Sequence, residues 1–322
     1  MDMQQVVKTA EGLTTEVEKI IVGKHNQIQL IVMAVLADGH ILLDDLPGSG
    51  KTTLVKALSI ALGCSFRRVQ FTPDLLPSDI IGMNIFNQKT REFQFMEGPV
   101  NTNILLADEI NRAIPRTQSA LLEAMEERQV TVDGESRTLP QPFLVMATQN
   151  PVESESTFQL PAAQMDRFLV KLSLGYPTAQ EEQNMLANLG DGIPFEQVQA
   201  VTSPQELVEL QQAISQVHVS DMVSAYLVEL VHRTRENKLL RSGASPRASR
   251  SLYRAGKAWA AMQGREYVTP DDIQAIAPSI LVHRVQVSSE ARFAGTTAEE
   301  IIGQILAETP VPPAREDLFH GN

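Results

Sequence analysis

The sequence has little cysteine, no long apolar run and a shortage of basic residues. Its single cysteine, Cys64, cannot form an internal disulfide or a cysteine-rich metal site. The longest apolar stretch, residues 28–43, is interrupted at residues 38–40 before it reaches about 18 residues, so no membrane-spanning helix is expected. Residues 1–20 have neither a basic start nor an apolar core, which argues against a secretory signal. These absences favour a cytoplasmic protein in a reducing compartment.

The acidic balance of the chain limits its partners. The sequence contains 39 Asp and Glu residues but only 27 Lys and Arg residues, which gives a formal net charge of −12. Such a chain has no general electrostatic attraction to phosphate backbones, so a nucleic-acid partner is not expected. Its 322 residues, of which 43% are hydrophobic and 20% charged, are typical of a globular protein with about two domains.

Five short apolar runs alternate with longer amphipathic segments in the first half of the chain, which predicts a parallel sheet covered by helices. The runs are residues 40–43, 66–71, 103–107, 143–147 and 168–174. Later in the chain, helix starts replace them, with proline at the first helical position in Ser203-Pro204, Ser245-Pro246 and Thr269-Pro270. We predict an α/β domain over residues 1–176, an all-α domain over residues 177–309 and a flexible tail over residues 310–322.

A glycine-rich loop follows the first apolar run. The residues predicted to bind ATP there are Pro47, Gly48, Ser49, Gly50, Lys51, Thr52 and Thr53. In a strand–loop–helix context, backbone N–H groups and the helix N-terminus cradle phosphate, Lys51 reaches the outer phosphates and the Thr52 hydroxyl binds Mg²⁺. The full pattern has glycine at the position of Asp45. A glycine-rich helix start that binds nothing is the alternative, but Lys-Thr directly after glycine favours phosphate binding.

Two acidic residues, Asp108 and Glu109, end the third apolar run. Because the carboxyl ends of strands in an open α/β sheet face the ligand crevice, both side chains are expected there. Asp108 suits Mg²⁺, and Glu109 suits the base that polarises the attacking water. A pair of solvated turn acids is the alternative, and the phosphate loop upstream favours the catalytic interpretation.

Three further polar residues occur where ATP chemistry can use them. Asn150 follows the fourth run and can orient the attacking water, although an Asn-Pro pair by itself is typical of a turn. Arg167 precedes the fifth run, and Arg247 comes two residues after Ser245. A guanidinium group can stabilise the charge that develops on a transferring phosphate, whereas an isolated arginine is more often a surface salt-bridge partner.

Together these residues resemble the AAA+ ATPases, and closely the MoxR family. The resemblance runs from about residue 22 to residue 284 and is most specific in residues 70–80 and 108–125. It implies a RecA-like α/β core followed by a helical lid. It also implies two insertions, over residues 80–98 and 130–142, the second with a hairpin turn at Asp133-Gly134.

The resemblance also implies roles for individual residues. Asn150 would be sensor 1, Arg167 the arginine finger that completes a neighbour's site, and Arg247 sensor 2 from the lid. Val22 and Gly23 would lie against the adenine. A finger that acts on a neighbour requires a homo-oligomer, and the resemblance favours a hexameric ring.

Two groups of charged residues have open interpretations. Arg112 and Arg116 come directly after the acid pair, where they either sense a neighbour's nucleotide or form salt bridges. A second group forms one polar helix face, for which solvation is favoured and partner contact is the alternative. Its members are Glu123, Glu126, Glu127 and Arg128.

The resemblance implies an enzyme that uses ATP and Mg²⁺ and couples hydrolysis to chaperone-like remodelling or activation of partner proteins. Typical partners carry a von Willebrand factor A domain, and because no such domain is visible here, the client would be a separate protein. A nucleotide-gated regulatory module with negligible turnover is the alternative, against which the presence of Glu109, Asn150 and Arg167 argues. A DNA motor has weaker support, since the net charge opposes it and no helix-turn-helix is evident.

Overall fold

The computed structural model describes residues 3–45, 48–150, 158–176, 178–187 and 195–312. Its helices are α1 (Met3–Glu18), α2 (His25–Leu36), α3 (Lys51–Ala61), α4 (Pro77–Ile81), α5 (Pro115–Glu127), α6 (Ala162–Met165), α7 (Ala179–Ala187), α8 (Pro204–Ile214), α9 (Asp221–Glu236), α10 (Pro246–Met262), α11 (Pro270–Leu281), α12 (Ser289–Phe293) and α13 (Ala298–Glu308). Its strands are β1 (Ile41–Asp44), β2 (Phe66–Gln70), β3 (Gly82–Asn87), β4 (Glu92–Glu97), β5 (Ile104–Asp108), β6 (Gln129–Val132), β7 (Glu135–Thr138), β8 (Leu144–Gln149), β9 (Val170–Leu172), β10 (Leu240–Ser242) and β11 (Gln286–Val287).

A five-stranded parallel sheet organises the first half of the chain, in the order β2-β5-β8-β1-β9. Its central strands are nearly continuous apolar segments, as expected where helices cover both faces of a sheet, and β5 is buried along its whole length. The predicted parallel five-stranded sheet is confirmed. The strands begin and end within one or two residues of the predicted apolar runs.

The carboxyl and amino ends of the parallel strands form two different surfaces. At the carboxyl ends, β1 leads into the glycine-rich loop, β5 ends at Asp108 and β8 ends at Gln149. These strands are neighbours in the order β5-β8-β1, so their ends converge. Helix α5 returns along the sheet to the amino ends, where the Arg128 guanidinium donates to the backbone oxygen of Asp38 at 3.1 Å.

Two antiparallel hairpins fill the insertions that the resemblance implied. The first hairpin, β3–β4, pairs Phe86 with Phe93. The second hairpin, β6–β7, turns at Asp133-Gly134, where both residues have positive φ, 51° and 83°. The Asn84 side chain donates to the Asp133 carboxylate at 2.7 Å, so the two hairpins contact each other.

The second half of the described chain is helical apart from the short β10–β11 pair. Capping boxes begin α8 at Ser203 and α11 at Thr269, and Ser245 caps α10. Among the described residues, no helix combines the length and the apolarity that crossing a membrane would need.

One apolar cluster joins the helical half to the sheet. It contains Leu13 of α1, Ile31 of α2, Ile41 of β1 and Leu210 of α8. The predicted domain division at residues 176 and 177 stays a prediction, and this cluster crosses it. Residue 177 and residues 313–322 of the predicted tail lie outside the described part of the chain.

Candidate nucleotide site

The glycine-rich loop lies at the start of α3 and has the shape of an anion cradle. Gly48 and Gly50 have φ of +84° and +82°, a conformation that glycine adopts without strain. The Ser49 hydroxyl is buried and has no hydrogen-bond partner among the described residues. Lys51 Nζ donates to the backbone oxygen of Asp45 at 2.7 Å. Orphaned donors at a helix N-terminus fit a phosphate group. The predicted ligand Pro47 lies outside the described residues.

Asp45 has a structural reason to replace the glycine of the general pattern. Its side chain is buried, with the residue only 4% exposed, and its carboxylate accepts three hydrogen bonds. The donors are the Ser173 hydroxyl at 2.7 Å, the Leu174 backbone N–H at 2.7 Å and the Gly175 backbone N–H at 3.0 Å. Asp45 therefore ties the phosphate loop to the segment that leads from the sheet into the helical half.

Thr148 fixes the two acids at the end of β5. Its hydroxyl donates to Asp108 Oδ1 at 2.6 Å and accepts the Glu109 backbone N–H at 2.8 Å. Asp108 Oδ2 accepts from Arg68 Nη2 at 2.6 Å and from Nε at 3.1 Å. Glu109 has a left-handed backbone conformation with φ of 55°. Its side chain faces the same cleft as that of Asp108.

The Glu109 carboxylate has two donors of its own. Gln70 Nε2 donates to Glu109 Oε2 at 2.6 Å, and Arg112 Nη1 donates to the same oxygen at 2.9 Å. Arg112 therefore forms a salt bridge within its own chain, the second of the two interpretations open for it. Arg116 lies exposed in the first turn of α5.

A cleft of about 400 Å³ brings the loop and the acids together. Asn150 lines this cleft and is 5% exposed. The lining residues are Gly48, Ser49, Gly50, Lys51, Thr52, Thr53, Arg68, Gln70, Asp108, Glu109, Gln149 and Asn150. The predicted phosphate-binding, magnesium-binding and water-activating residues within the described part of the chain thus share one cleft.

Val22 and Gly23 lie on the loop side of the molecule. The Ile21 side chain is the nearest group to the Cβ position of Gly50, at 3.9 Å. Lys24 Nζ donates to the backbone oxygen of Tyr176 at 3.0 Å. These contacts put Val22 and Gly23 beside the phosphate loop and the segment after β9, which is compatible with the predicted position against adenine.

Arg167 and Arg247 do not join this cleft. Both lie at the amino ends of the strands, where they meet a single carboxylate: Arg167 Nε donates to Glu126 Oε2 at 2.8 Å, and Arg247 Nη2 donates to Glu126 Oε1. The hydrogen bond from Arg167, together with the charges of both arginines, holds the pKa of Glu126 below its usual range. A second cleft of about 270 Å³ contains this cluster and the exposed Arg250.

Three contact residues were not singled out by the sequence. Arg68 and Gln70 alternate along β2, and Thr148 precedes Asn150 by two residues. Their roles depend on strands β2, β5 and β8 being neighbours, which residue spacing alone does not reveal. Glu126 lies on the polar helix face for which solvation was favoured, and it is exposed; it also pairs with Arg167 and Arg247, which the sequence did not predict.

Two segments of the chain match known families. Residues 40–170 match the ATPase family associated with various cellular activities (AAA), and residues 232–305 match the AAA lid domain. A crystal structure of a Cytophaga hutchinsonii protein assigned as an ATPase has a TM-score of 0.87 and 38% sequence identity to this chain. The match covers 96% of this chain and 98% of that one.

Relatives that match over most of their length decide the family. The chain is 48% identical over 299 residues to the Bacillus subtilis uncharacterized protein YeaC, with 93% of each chain covered. It is 40% identical over 315 residues to chaperone MoxR1 of Mycobacterium tuberculosis, covering 95% of this chain and 83% of the relative. It is 30% identical over 329 residues to protein MoxR of Paracoccus denitrificans, covering 92% and 94%. The chain belongs to the MoxR family of AAA+ ATPases.

Membership of the MoxR family confirms the expected fold class, an AAA+ α/β core with a helical lid. The roles of the individual residues in this MoxR-family protein stay predictions.

Proposed function

We propose that this MoxR-family protein hydrolyses ATP at the contact between two copies of the chain and uses the energy to remodel a client protein. The observation that carries the proposal is the placement of charge. The phosphate loop and acids lie at the carboxyl ends of the strands, and Arg167 and Arg247 lie at the amino ends. The four residues of β1 separate these two surfaces by about 10 Å. This separation favours an arrangement in which Arg167 and Arg247 contact the ATP bound by a neighbouring copy.

Within one copy, the roles follow from the chemistry of each group. Lys51 and the loop N–H groups bind the phosphates of ATP. Thr52 and Asp108 would hold Mg²⁺, which neutralises negative charge on the phosphates. Glu109 accepts the proton of the attacking water, and Asn150 orients that water through its side-chain amide.

The contacts around the acids must open for this chemistry to proceed. Glu109 Oε2 already accepts hydrogen bonds from Gln70 and Arg112, and Asp108 Oδ2 is paired with Arg68. With two donors on Glu109 Oε2, at least one of them must move away before that oxygen can accept a hydrogen bond from the attacking water. The same contacts favour a second candidate, a nucleotide-gated regulatory module with negligible turnover.

An arginine pair that serves a neighbour implies a head-to-tail assembly. Such a contact is heterologous, so it closes into a ring or continues as a filament. We propose a homo-oligomeric ring, with six copies as the number the family favours. A cytoplasmic location stays a prediction from the sequence.

The first hairpin is the surface best suited to a client protein. Phe93 is 73% exposed and Phe86 is 50% exposed, and their rings meet edge to face at 5.4 Å. Met83 and Met96 are also exposed, and flexible methionines adapt to varied apolar surfaces. The second hairpin exposes mainly polar side chains. These features favour a protein client, such as one with a von Willebrand factor A domain, over nucleic acid.

ATP binding and turnover by purified variants test the proposal. Lys51→Ala is expected to lose ATP binding. Glu109→Gln is expected to keep ATP affinity within about threefold but to turn over at least about a hundredfold more slowly, because it lacks the base. Glu123→Gln, on the exposed face of α5, is the matched control and should change neither quantity. Negligible wild-type turnover at every protein concentration would support the regulatory module instead.

A further inference from the structure

Arg284, in the helical half of the molecule, donates hydrogen bonds to the backbone on both sides of Arg167. It lies just after α11, and its side chain is 1% exposed. Its guanidinium donates to the backbone oxygens of Asp166 at 3.3 Å, Phe168 at 2.6 Å and Leu169 at 3.1 Å. These acceptors stand on both sides of Arg167, so Arg284 holds the segment that carries it.

The same guanidinium reaches the start of α10 through Asp166. Arg284 Nε donates to Asp166 Oδ1 at 2.7 Å, and the Ser245 hydroxyl donates to Asp166 Oδ2 at 2.6 Å. The Ser245 hydroxyl also accepts the backbone N–H of Arg247 at 3.1 Å, as the N-cap of α10. One chain of hydrogen bonds therefore joins the segment of Arg167 to the helix that carries Arg247.

The acceptors around Arg284 require a planar group with several donors. Its remaining hydrogen bonds go to the Ile280 backbone oxygen and to the Ser251 hydroxyl, so every guanidinium nitrogen has a partner. Burial lowers the pKa of Arg284 to about 10, and Asp166 opposes that decrease, so the group stays charged at neutral pH. A lysine offers three donors from one nitrogen and cannot reach this spread of acceptors.

From this arrangement we propose that Arg284 is a positioning residue, which fixes Arg167 and Arg247 as one rigid pair for the ATP of a neighbouring copy. The inference rests on the proposed function, because the pair has a substrate only at a contact between copies. Arg284 itself is interior and lies with the segment at the amino ends of the strands, apart from the phosphate loop. Replacing Arg284 would displace the guanidinium groups of Arg167 and Arg247, and a displacement of about 1 Å can lower the rate about a hundredfold.

In the proposed shared site, one subunit binds ATP and its neighbour donates Arg167 and Arg247. The test determines which of these two functions a variant has lost. Lys51→Ala subunits keep their arginines but cannot bind ATP, so they can only donate. Arg284→Met subunits are expected to bind ATP within about twofold of wild type and to turn over at least about tenfold more slowly alone. Mixing the two variants should restore activity. In equal random mixing about a quarter of the contacts pair a competent donor with a competent acceptor, so recovery should approach about a quarter of wild-type turnover.

Three further variants separate positioning from general stability. Arg284→Lys keeps the charge and is expected to show the same donor defect. Ser245→Gly removes both hydrogen bonds of the Ser245 hydroxyl, to Asp166 and from the Arg247 backbone N–H. Because glycine is itself an acceptable N-cap, the start of α10 is little weakened, and this variant decides the question if Arg284→Met does not fold. Arg265→Met is the matched control, because Arg265 pairs with the buried Asp272 at 2.5 Å without contacting the segment of Arg167. It should lower stability and leave turnover per folded subunit unchanged.

The reference mixture combines Lys51→Ala with Arg167→Ala. Recovery in this mixture and in the Arg284→Met mixture supports the positioning role. Recovery in the reference mixture alone, or wild-type turnover by Arg284→Met by itself, would overturn that role and leave the shared site intact. If neither mixture recovers although mixed assemblies form, the shared site is wrong and both proposals fall.

Discussion

Asp45 joins two distant parts of the chain at one side chain. Its carboxylate accepts from Ser173, Leu174 and Gly175, and its backbone oxygen accepts from Lys51. Sequence spacing identified Asp45 only as a departure from the P-loop pattern, because its donors come much later in the chain. The structure shows that the departure supplies an acceptor where glycine would supply none.

Replacing Asp45 with glycine should therefore weaken the molecule even though it restores the general loop pattern. The backbone N–H groups of Leu174 and Gly175 would lose their acceptor. Leu174 is buried, and a buried unsatisfied donor costs about 1–3 kcal/mol, whereas the exposed Gly175 can bond to water. We expect a fall of about 1–3 kcal/mol in the free energy of unfolding by urea, with faster amide hydrogen exchange at both donors. Asp45→Asn keeps one acceptor oxygen and should lose less. Unchanged amide hydrogen exchange at Leu174 and Gly175 in the glycine variant would show that Asp45 does not hold these two donors.

His40 makes stability depend on pH. Its Nδ1 accepts the Val145 backbone N–H at 3.0 Å, and its Nε2 lies 3.1 Å from the Met125 backbone oxygen, so the ring is neutral with the proton on Nε2. Burial, reinforced by the positive charge of Arg128, lowers the pKa of His40 to about 3. The unfolded chain takes up a proton near pH 6.5 while the folded chain does not. Stability is thus retained above pH 6.5 and is lost as the pH falls towards 3.

When the pH is lowered from 7 to 5, protonation of His40 in the unfolded chain should reduce the free energy of unfolding by about 2 kcal/mol. We expect His40→Gln to be less stable at pH 7 but to show a pH slope smaller by about that amount, measured by urea unfolding at several pH values. His218→Gln, at an exposed position, is the control and should keep the wild-type slope. An equal slope in both variants would show that His40 is not the source.

At the scale of elements, apolar runs and helix caps were sufficient to predict most of the fold. The five strands of the sheet follow the five predicted runs, and α8, α10 and α11 begin at predicted caps. Helix α1 was not identified, although Val6, Leu13 and Val17 are buried at helical spacing and offered a signal. Sequence could not predict the contacts of Arg68 and Gln70 with the acids, because they follow from β2 lying beside β5.

The first hairpin leads to a prediction about client contact. Phe93→Ser should remove much of its exposed apolar tip and the edge-to-face contact with Phe86, at a cost of about 1 kcal/mol or less in stability. We expect unchanged basal ATPase activity but weaker suppression of aggregation of a heat-denatured reporter protein. Glu92→Ser, the neighbouring exposed position on β4, is the matched control. Equal suppression by both variants would locate client contact elsewhere.

At the scale of the whole molecule, each copy carries a complementary pair of surfaces at opposite ends of one sheet. The arginine surface of an isolated copy is closed by Glu126, which Arg167 and Arg247 share. In an assembly these guanidinium groups would exchange that carboxylate for the phosphates bound by a neighbour. In the proposed assembly, Glu126 would therefore compete with the neighbour's phosphates for both arginines.

Removing that competition should favour the ATP-dependent oligomer. Glu126→Gln cannot form the ion pairs, and partly exposed pairs contribute about 1 kcal/mol or less, so the association midpoint should shift to a lower protein concentration by up to about fivefold. Sedimentation velocity with and without ATP measures this shift. Glu127→Gln, the next residue on α5 and also exposed, should leave the midpoint in place. An unshifted midpoint in Glu126→Gln would mean that Glu126 does not compete.

The apolar cluster that runs from α1 through the sheet into α8 has a mechanical consequence. Swinging the helical half away from the sheet as a separate lobe would expose this shared apolar surface to water, which is unfavourable. Each protomer would therefore tilt as a single stiff piece. In the proposed ring, any movement driven by ATP would then occur between neighbouring protomers, with little bending inside any one of them.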